Sequence, residues 1–239
     1  MALKPETRDL LKRVSTPTLA TALYKRGFRN QMIQGVQPLS PPKQESMVGE
    51  AYTLRYIPAR EDLNELSVFR DHNHPQRKAV DECPPGAVMV IDSRKDPRAA
   101  SAGGILVTRL MVRGAVGVVT DGGFRDSAEI AKLDIASYHA RPSAPTNLTL
   151  HQAIDINVPI GCGDAPVFPG DIIVGDADGV IVLPAHLADE LAVEATEMTA
   201  YEDFVAERVR GGQPTRGLYP PTDSANLDAF KIWRQQHGR

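Results

Sequence analysis

Apolar positions along the chain fall into two rhythms. Residues 87–92, AVMVID, and 115–120, AVGVVT, are nearly continuous apolar runs. Such runs predict strands covered on both faces. Between them Leu106, Leu110 and Met111 recur at helical spacing. That spacing predicts a helix opening on Gly103-Gly104, capped by Ser101 and stopped by Gly114. The unit is strand–helix–strand, with a right-handed crossover expected. Just past the second strand, Asp121-Gly122-Gly123 predicts a turn ending on Arg125-Asp126.

The same reading extends along the chain. Residues 5–14 predict a short amphipathic helix, and 16–26 a second one with Ser15 and Pro17 at its start and Gly27 at its end. Residues 35–49, with three prolines, read mostly as loop. Residues 50–57 alternate as a strand, 58–75 are polar and irregular, and 76–83 predict a short helix. One or two helical turns are expected at 127–133, then strands at 135–140 and 149–159. Residues 169–184 read as a hairpin turning at Asp178-Gly179. Residues 185–210 predict one long helix whose stripe is Leu191, Ala195, Met198, Tyr201, Val205 and Val209. The proline-containing tail, 211–239, is expected to wrap over the surface or a neighbour. No repeat or domain boundary interrupts the pattern, so one α/β domain is expected.

Composition narrows the function. The chain has 239 residues, 42% hydrophobic and 24% charged, which suits a packed core. A net charge of -3 gives no footprint for nucleic acid or an anionic membrane. No apolar run is long enough to span a bilayer, and the start of the chain carries charges where an export signal has an apolar core. Cys83 and Cys162 are isolated, which suits a reducing cytoplasm.

The chemistry concentrates at 101–126. A glycine-rich helix start offers free N–H groups to an anion and lets it approach the backbone closely. Arg125 suits a carboxylate, and Asp126 is a hard oxygen donor suited to Mg²⁺ or Mn²⁺. A cation touching a keto oxygen stabilises an enolate, as cleavage or decarboxylation beside a ketone requires. The alternative is structural: glycines for close helix packing and a solvated Arg-Asp pair. Asp71, His72, Asn73, His74 and Arg77 form a second polar cluster. His72 and His74 share a face if that piece is extended, and serve recognition or proton transfer; otherwise the cluster is a solvated loop. Glu202, Asp203 and Glu207 read as a solvated helix face, and Asp171, Asp176 and Asp178 as hairpin residues.

The runs AGGIL (102–106), RGAVGVVTDGGFRD (113–126) and PGDIIVGDADGVIVLP (169–184) resemble the RraA-like family. That family includes the 4-hydroxy-4-methyl-2-oxoglutarate and 4-carboxy-4-hydroxy-2-oxoadipate aldolases. The resemblance implies a three-layer α/β/α fold like the swivelling phosphohistidine domain, with its core at about 16–187. It implies a homotrimer or dimer of trimers. It also implies class II, metal-dependent cleavage of a small keto acid to pyruvate, often with oxaloacetate decarboxylation. Carried over by position, the backbone of Gly103, Gly104, Ile105 and Leu106 binds the pyruvyl part, Arg125 binds the substrate, and Asp126 holds Mg²⁺ partly through water. The base is a metal-held hydroxide or a histidine of the 72–74 cluster. One departure stands out: active members usually carry an acidic residue where this chain has Gly104. Members that lost the site act as regulators that bind and inhibit an RNA-degrading endonuclease.

Overall fold

The computed structural model describes residues 3–39 and 44–239. Residues 1–2, and 40–43 within the expected loop, lie outside it. The elements in order are α1 (Pro5–Leu11), α2 (Thr16–Lys25), β1 (Gln37–Pro38), β2 (Met47–Pro58), α3 (Pro75–Glu82) and β3 (Ala87–Asp92). Then come β4 (Ala100–Ala102), α4 (Gly104–Val112), β5 (Gly117–Thr120), β6 (Gly123–Phe124), α5 (Ser127–Ile130), β7 (Ala136–His139) and β8 (Arg141–Pro142). The chain finishes with β9 (His151–Ile156), β10 (Ile160–Cys162), β11 (Ala165–Val167), β12 (Ile172–Asp176), β13 (Gly179–Leu183), α6 (Ala188–Arg210) and α7 (Ser224–His237).

The main sheet runs β1-β7-β5-β3-β2-β12-β13. Its centre is parallel, β2 to β3 to β5 to β7, and β12 and β13 add antiparallel. The long strand β2 pairs with β12 through its first half and with β9 through its second. Side chains alternate between two faces along each strand. One face, with Leu54, Tyr56, Met89, Ile91 and Val118, is covered by α3, α4 and α5. The same face of the antiparallel half, with Val48, Ile172, Val174, Ile181 and Leu183, is covered by α1, α2 and α6. The other face buries Ala51, Val88, Val90, Val119, Ile173 and Val182 beneath the β10–β11 hairpin.

The expected mixed α/β single domain is therefore what the chain forms. The second outer layer is built from the β10–β11 hairpin. Three-residue strands leave too little alternation to be read from sequence.

Local chemistry explains the ends of the elements. Ser15 accepts the Thr18 N–H at the start of α2, and the Asp176 carboxylate takes the Thr16 N–H at 2.6 Å and the Thr16 hydroxyl at 2.8 Å. The hairpin turns on Ala177-Asp178, one residue earlier than expected, because Asp176 pairs with Gly179. The tail is not only a wrap. Asp223 caps α7, whose Trp233 joins Phe204, Val205 and Leu218 in a separate aromatic cluster on α6. No helix among the described residues is long and apolar enough to cross a membrane.

Candidate functional site

The site forms where β5 leaves the sheet. Asp121, 2% exposed, accepts the N–H groups of Ser93 at 2.7 Å and of Lys95 and Gly163, each at 3.1 Å. One carboxylate thus ties two separate loops, 93–95 after β3 and the β10–β11 turn, to the end of β5. Beside it the hydroxyls of Ser93, Ser101 and Thr120 form a buried trio, with the Ser101 oxygen 2.7 Å from Ser93 and 2.6 Å from Thr120. Ser101 is therefore not a helix cap. It lies in β4, and Gly103 occupies the cap position of α4 without a side-chain bond.

This scaffold carries the small parallel sheet β4-β6-β8. Strand β6 delivers Arg125, whose N–H bonds the Ala102 carbonyl at 3.1 Å. Asp126 follows in the left-handed conformation, φ 59°, which Asp tolerates better than most residues. That turn swings its carboxylate onto the start of α4, where Oδ2 accepts the Gly104 N–H at 3.0 Å. Arg125 Nε stands 3.6 Å from the same oxygen, and both side chains are 46% exposed. A Cβ built on Gly103 would lie 2.8 Å from Arg125 Cγ and 3.0 Å from Asp126 Oδ2. The glycine pair and the Arg-Asp pair are in contact, as the sequence argument requires.

The nook is partly filled by the chain itself. Asp126 holds the Gly104 N–H, and the Leu106 N–H bonds the Gly103 carbonyl at 3.0 Å. Ile105, the second residue of α4, is 84% exposed in the single chain. A cavity of about 1010 Å³ lies at the other end of the parallel strands, beside Met47, Gly86, Val116 and Ala136, and contains none of the candidate residues.

The histidine cluster is corrected. Residues 71–74 make a turn, in which the Asp71 side chain accepts the Asn73 N–H at 2.8 Å and its carbonyl the His74 N–H at 3.1 Å. His72 and His74 therefore do not share a face: His72 is exposed, and His74 is buried against Phe69. The turn forms because a short Asp side chain satisfies its own backbone locally. Gln76, on the first turn of α3, donates to the Ser101 carbonyl at 2.8 Å, and His74 Nδ1 is buried without a hydrogen-bond partner among the described residues. The acidic residues of α6 are engaged within the chain: Glu202 with Thr18, Asp203 with Arg239, and Glu207 with Trp233. Asp171 and Asp176 bind backbone and hydroxyl groups near the hairpin, as the structural reading expects.

Sequence reasoning missed the roles of Asp121 and the hydroxyl trio. The available signal was the placement of an acid immediately after a nearly apolar strand.

Burial holds His74, His139 and His151 below the ordinary imidazole value of 6.5. A depressed base binds more protons unfolded than folded. Stability from these groups is complete above about pH 6.5 and falls as pH drops through the window below it. Thermal melts are expected to show this acid loss, and His139→Phe, beside Phe124, is expected to shrink it. An unchanged pH profile in that variant contradicts the assignment.

The family described as RraA-like, Aldolase/RraA, matches residues 16–182. A Halalkalibacterium halodurans relative, provisionally named 4-hydroxy-4-methyl-2-oxoglutarate aldolase, is 37% identical over 131 residues, covering 55% of this chain and 61% of its own. An uncharacterised protein of Methanocaldococcus jannaschii is 34% identical over 212 residues, covering 88% of this chain and 92% of its own. Among solved structures, Streptomyces coelicolor RraAS2, described as an unusual member of the RNase ES inhibitor RraA protein family, superposes with a TM-score of 0.75 at 25% identity. That alignment covers 85% of this chain and 97% of the other. The match extends through both the glycine helix start and the Arg-Asp turn, and on these findings the chain belongs to the RraA-like, aldolase/RraA family.

Proposed function

We propose that this protein is a divalent-metal-assisted lyase that releases pyruvate from a small 4-hydroxy-2-keto acid or from oxaloacetate. The observation carrying this reading is the contact of Gly103-Gly104 with Arg125 and Asp126. The helix start and the guanidinium together hold a carboxylate.

Metal binding is tested by the donor set. Asp126 offers a half-exposed carboxylate, and Mg²⁺ usually takes one or two carboxylates with water completing the shell. Among the described residues no group of three or more His, Cys, Asp or Glu stands ready to cage an ion. The residues fit a water-rich Mg²⁺ or Mn²⁺ site held through Asp126, without a second acid at Gly104. When bound, the cation supplies charge stabilisation at the enolate oxygen.

In the aldol cleavage a base takes the proton of the C4 hydroxyl. The C3–C4 bond breaks, and its electron pair becomes the pyruvate enolate. A proton returned to C3 completes pyruvate. Arg125 and the α4 amides fix the carboxylate throughout, so the breaking bond is held in one orientation. We assign His74 as the candidate proton carrier, because its Nδ1 is buried without a hydrogen-bond partner among the described residues, at the start of the helix that Gln76 ties to Ser101 of β4; exposed His72 lacks that setting. The assembly we propose is a homotrimer or dimer of trimers. It is supported by the exposed Ile105 and Val112 on α4, beside the site.

The test is pyruvate release from 4-hydroxy-4-methyl-2-oxoglutarate and oxaloacetate. Release is expected with Mg²⁺, to be lost in EDTA, and to return on Mg²⁺ addition. Release indifferent to EDTA, or none from either substrate with Mg²⁺ or Mn²⁺, contradicts the reading. The second reading is a non-catalytic regulator of an RNA-degrading endonuclease, favoured by Gly104 in place of the usual acid. Stoichiometric capture of such an endonuclease, with no pyruvate release, supports it.

A further inference from the structure

Strand β4 does not run in simple register with β6. Ala100 pairs with Gly123, and Ala102 with Phe124, so β4 uses two residues where β6 uses one. Ser101 is the extra residue of a bulge, a device that re-aims the chain beyond it. Here the chain beyond it is the site. The Arg125 N–H meets the Ala102 carbonyl at 3.1 Å, and Gly103 comes to lie against the Arg125 side chain. In an unshifted register Ala102 would stand opposite Arg125 instead.

A bulge disturbs the ladder at its extra residue. Ser101 is held by other means, from both ends. Its hydroxyl lies in the trio with Ser93 and Thr120. Its carbonyl accepts the Tyr56 hydroxyl and the Gln76 amide nitrogen Nε2, each at 2.8 Å, and these two donors are 3.0 Å apart. A carbonyl oxygen has two lone pairs, so the two side chains fill it. They arrive from different elements, Tyr56 from β2 and Gln76 from the first turn of α3, and are 1% and 2% exposed.

Both side chains are fixed as donors. Burial pushes the Tyr56 phenol above its ordinary pKa, which keeps its proton in place. The Tyr56 ring stacks on His151, whose Nε2 is 3.1 Å from the Asp96 carbonyl. Gln76 leaves its Oε1 buried without a hydrogen-bond partner among the described residues. Turning that amide over would set Oε1 against the Ser101 oxygen, acceptor against acceptor. Leaving an acceptor buried and unsatisfied costs stability. Gln76 thus forgoes one half of its hydrogen bonding and delivers the other half to this one carbonyl.

We propose that Tyr56 and Gln76 are positioning residues: by jointly holding the Ser101 carbonyl they fix the β4 bulge, and the bulge sets the Gly103-Gly104 helix start against Arg125. The kinetic meaning of this rests on the lyase reading; the geometric meaning does not. Either donor alone still occupies the carbonyl. Loss of both is therefore expected to exceed the product of the single losses.

The test follows amide hydrogen exchange by NMR in the full chain without ligand. The amides read are Gly104 and Leu106, bonded to Asp126 and to the Gly103 carbonyl. Tyr56→Phe and Gln76→Met are each expected to speed exchange there about threefold, and the double variant about thirtyfold, with α6 unchanged. In Mg²⁺ the double variant is expected to bind oxalate, an analogue of the enolate, about tenfold more weakly. Its kcat for pyruvate release is expected to fall by a similar factor with KM little changed, the pattern of a contact made in the transition state. A role confined to core packing lowers the melting temperature without these local changes, and that result overturns the proposal. So does a double effect no larger than the product of the single ones. If the double variant does not fold, the single variants decide by the same exchange readout: acceleration at Gly104 and Leu106 alone supports the proposal, and unchanged exchange overturns it. Accelerated exchange with no pyruvate from the unsubstituted protein keeps the positioning role and removes the lyase. Pyruvate release with exchange unaltered in the variants does the reverse.

Discussion

Asp126→Asn is expected to lower kcat/KM for pyruvate release by about 10²–10³-fold, the range set by loss of one preorganised electrostatic contact. The substitution isolates charge from structure. Asn tolerates the left-handed backbone at this position almost as well as Asp, and its side-chain oxygen can still accept the Gly104 N–H. The start of α5 and the cap of α4 are therefore expected to persist. What disappears is the anionic oxygen, and with it the hold on the cation. The melting temperature is expected to change little, while residual activity becomes insensitive to EDTA. Full activity in Asp126→Asn contradicts the role given to this carboxylate. An unfolded variant would instead show that the turn depends on it.

Gly103→Ala is the second large effect, and it acts through space alone. The backbone there, φ -121° and ψ 175°, is open to alanine. The new methyl would stand 2.8 Å from Arg125 Cγ, so the arginine must move. Cγ is one bond beyond Cβ, so relief requires a new Arg125 rotamer, and Asp126 Oδ2 at 3.0 Å is crowded as well. Misplacing a substrate-holding group by about 1 Å costs about 10²-fold in rate, which is the loss expected here. Gly104→Ala is the comparison: its methyl would lie 3.3 Å from Asp126 Cβ, within reach of a small adjustment, and a smaller loss is expected. Steady-state kinetics on the two variants, with melts alongside, separate the cases. Equal losses, or a folding defect in Gly103→Ala, contradict a purely spatial effect.

Much of this was legible in the sequence. AVMVID became β3 with the expected bounds, and the helical rhythm of Leu106, Leu110 and Met111 became α4. Those segments are long enough for periodicity to decide them. The contact between 103–104 and 125–126 followed from that strand–helix–strand unit. The misses have physical reasons. Ser101 looks like a cap because a hydroxyl precedes a glycine helix start, but its oxygen turns inward to Thr120 and Ser93. Strands β4, β6 and β8 are two or three residues long, and their pairing depends on loops that Asp121 gathers from distant positions. Helix α7 was hidden behind prolines 214, 220 and 221, and its apolar residues find a partner only in α6. His72 and His74 were separated by a turn that Asp71 makes within its own neighbourhood.

The most direct measurement is a crystal structure soaked with Mg²⁺ and oxalate, an analogue of the pyruvate enolate. The account predicts oxalate between the α4 amides and the Arg125 guanidinium, with the cation on Asp126 and the carboxylate drawn off the Gly104 N–H. Oxalate bound elsewhere, or no cation at Asp126 in saturating Mg²⁺, would contradict it.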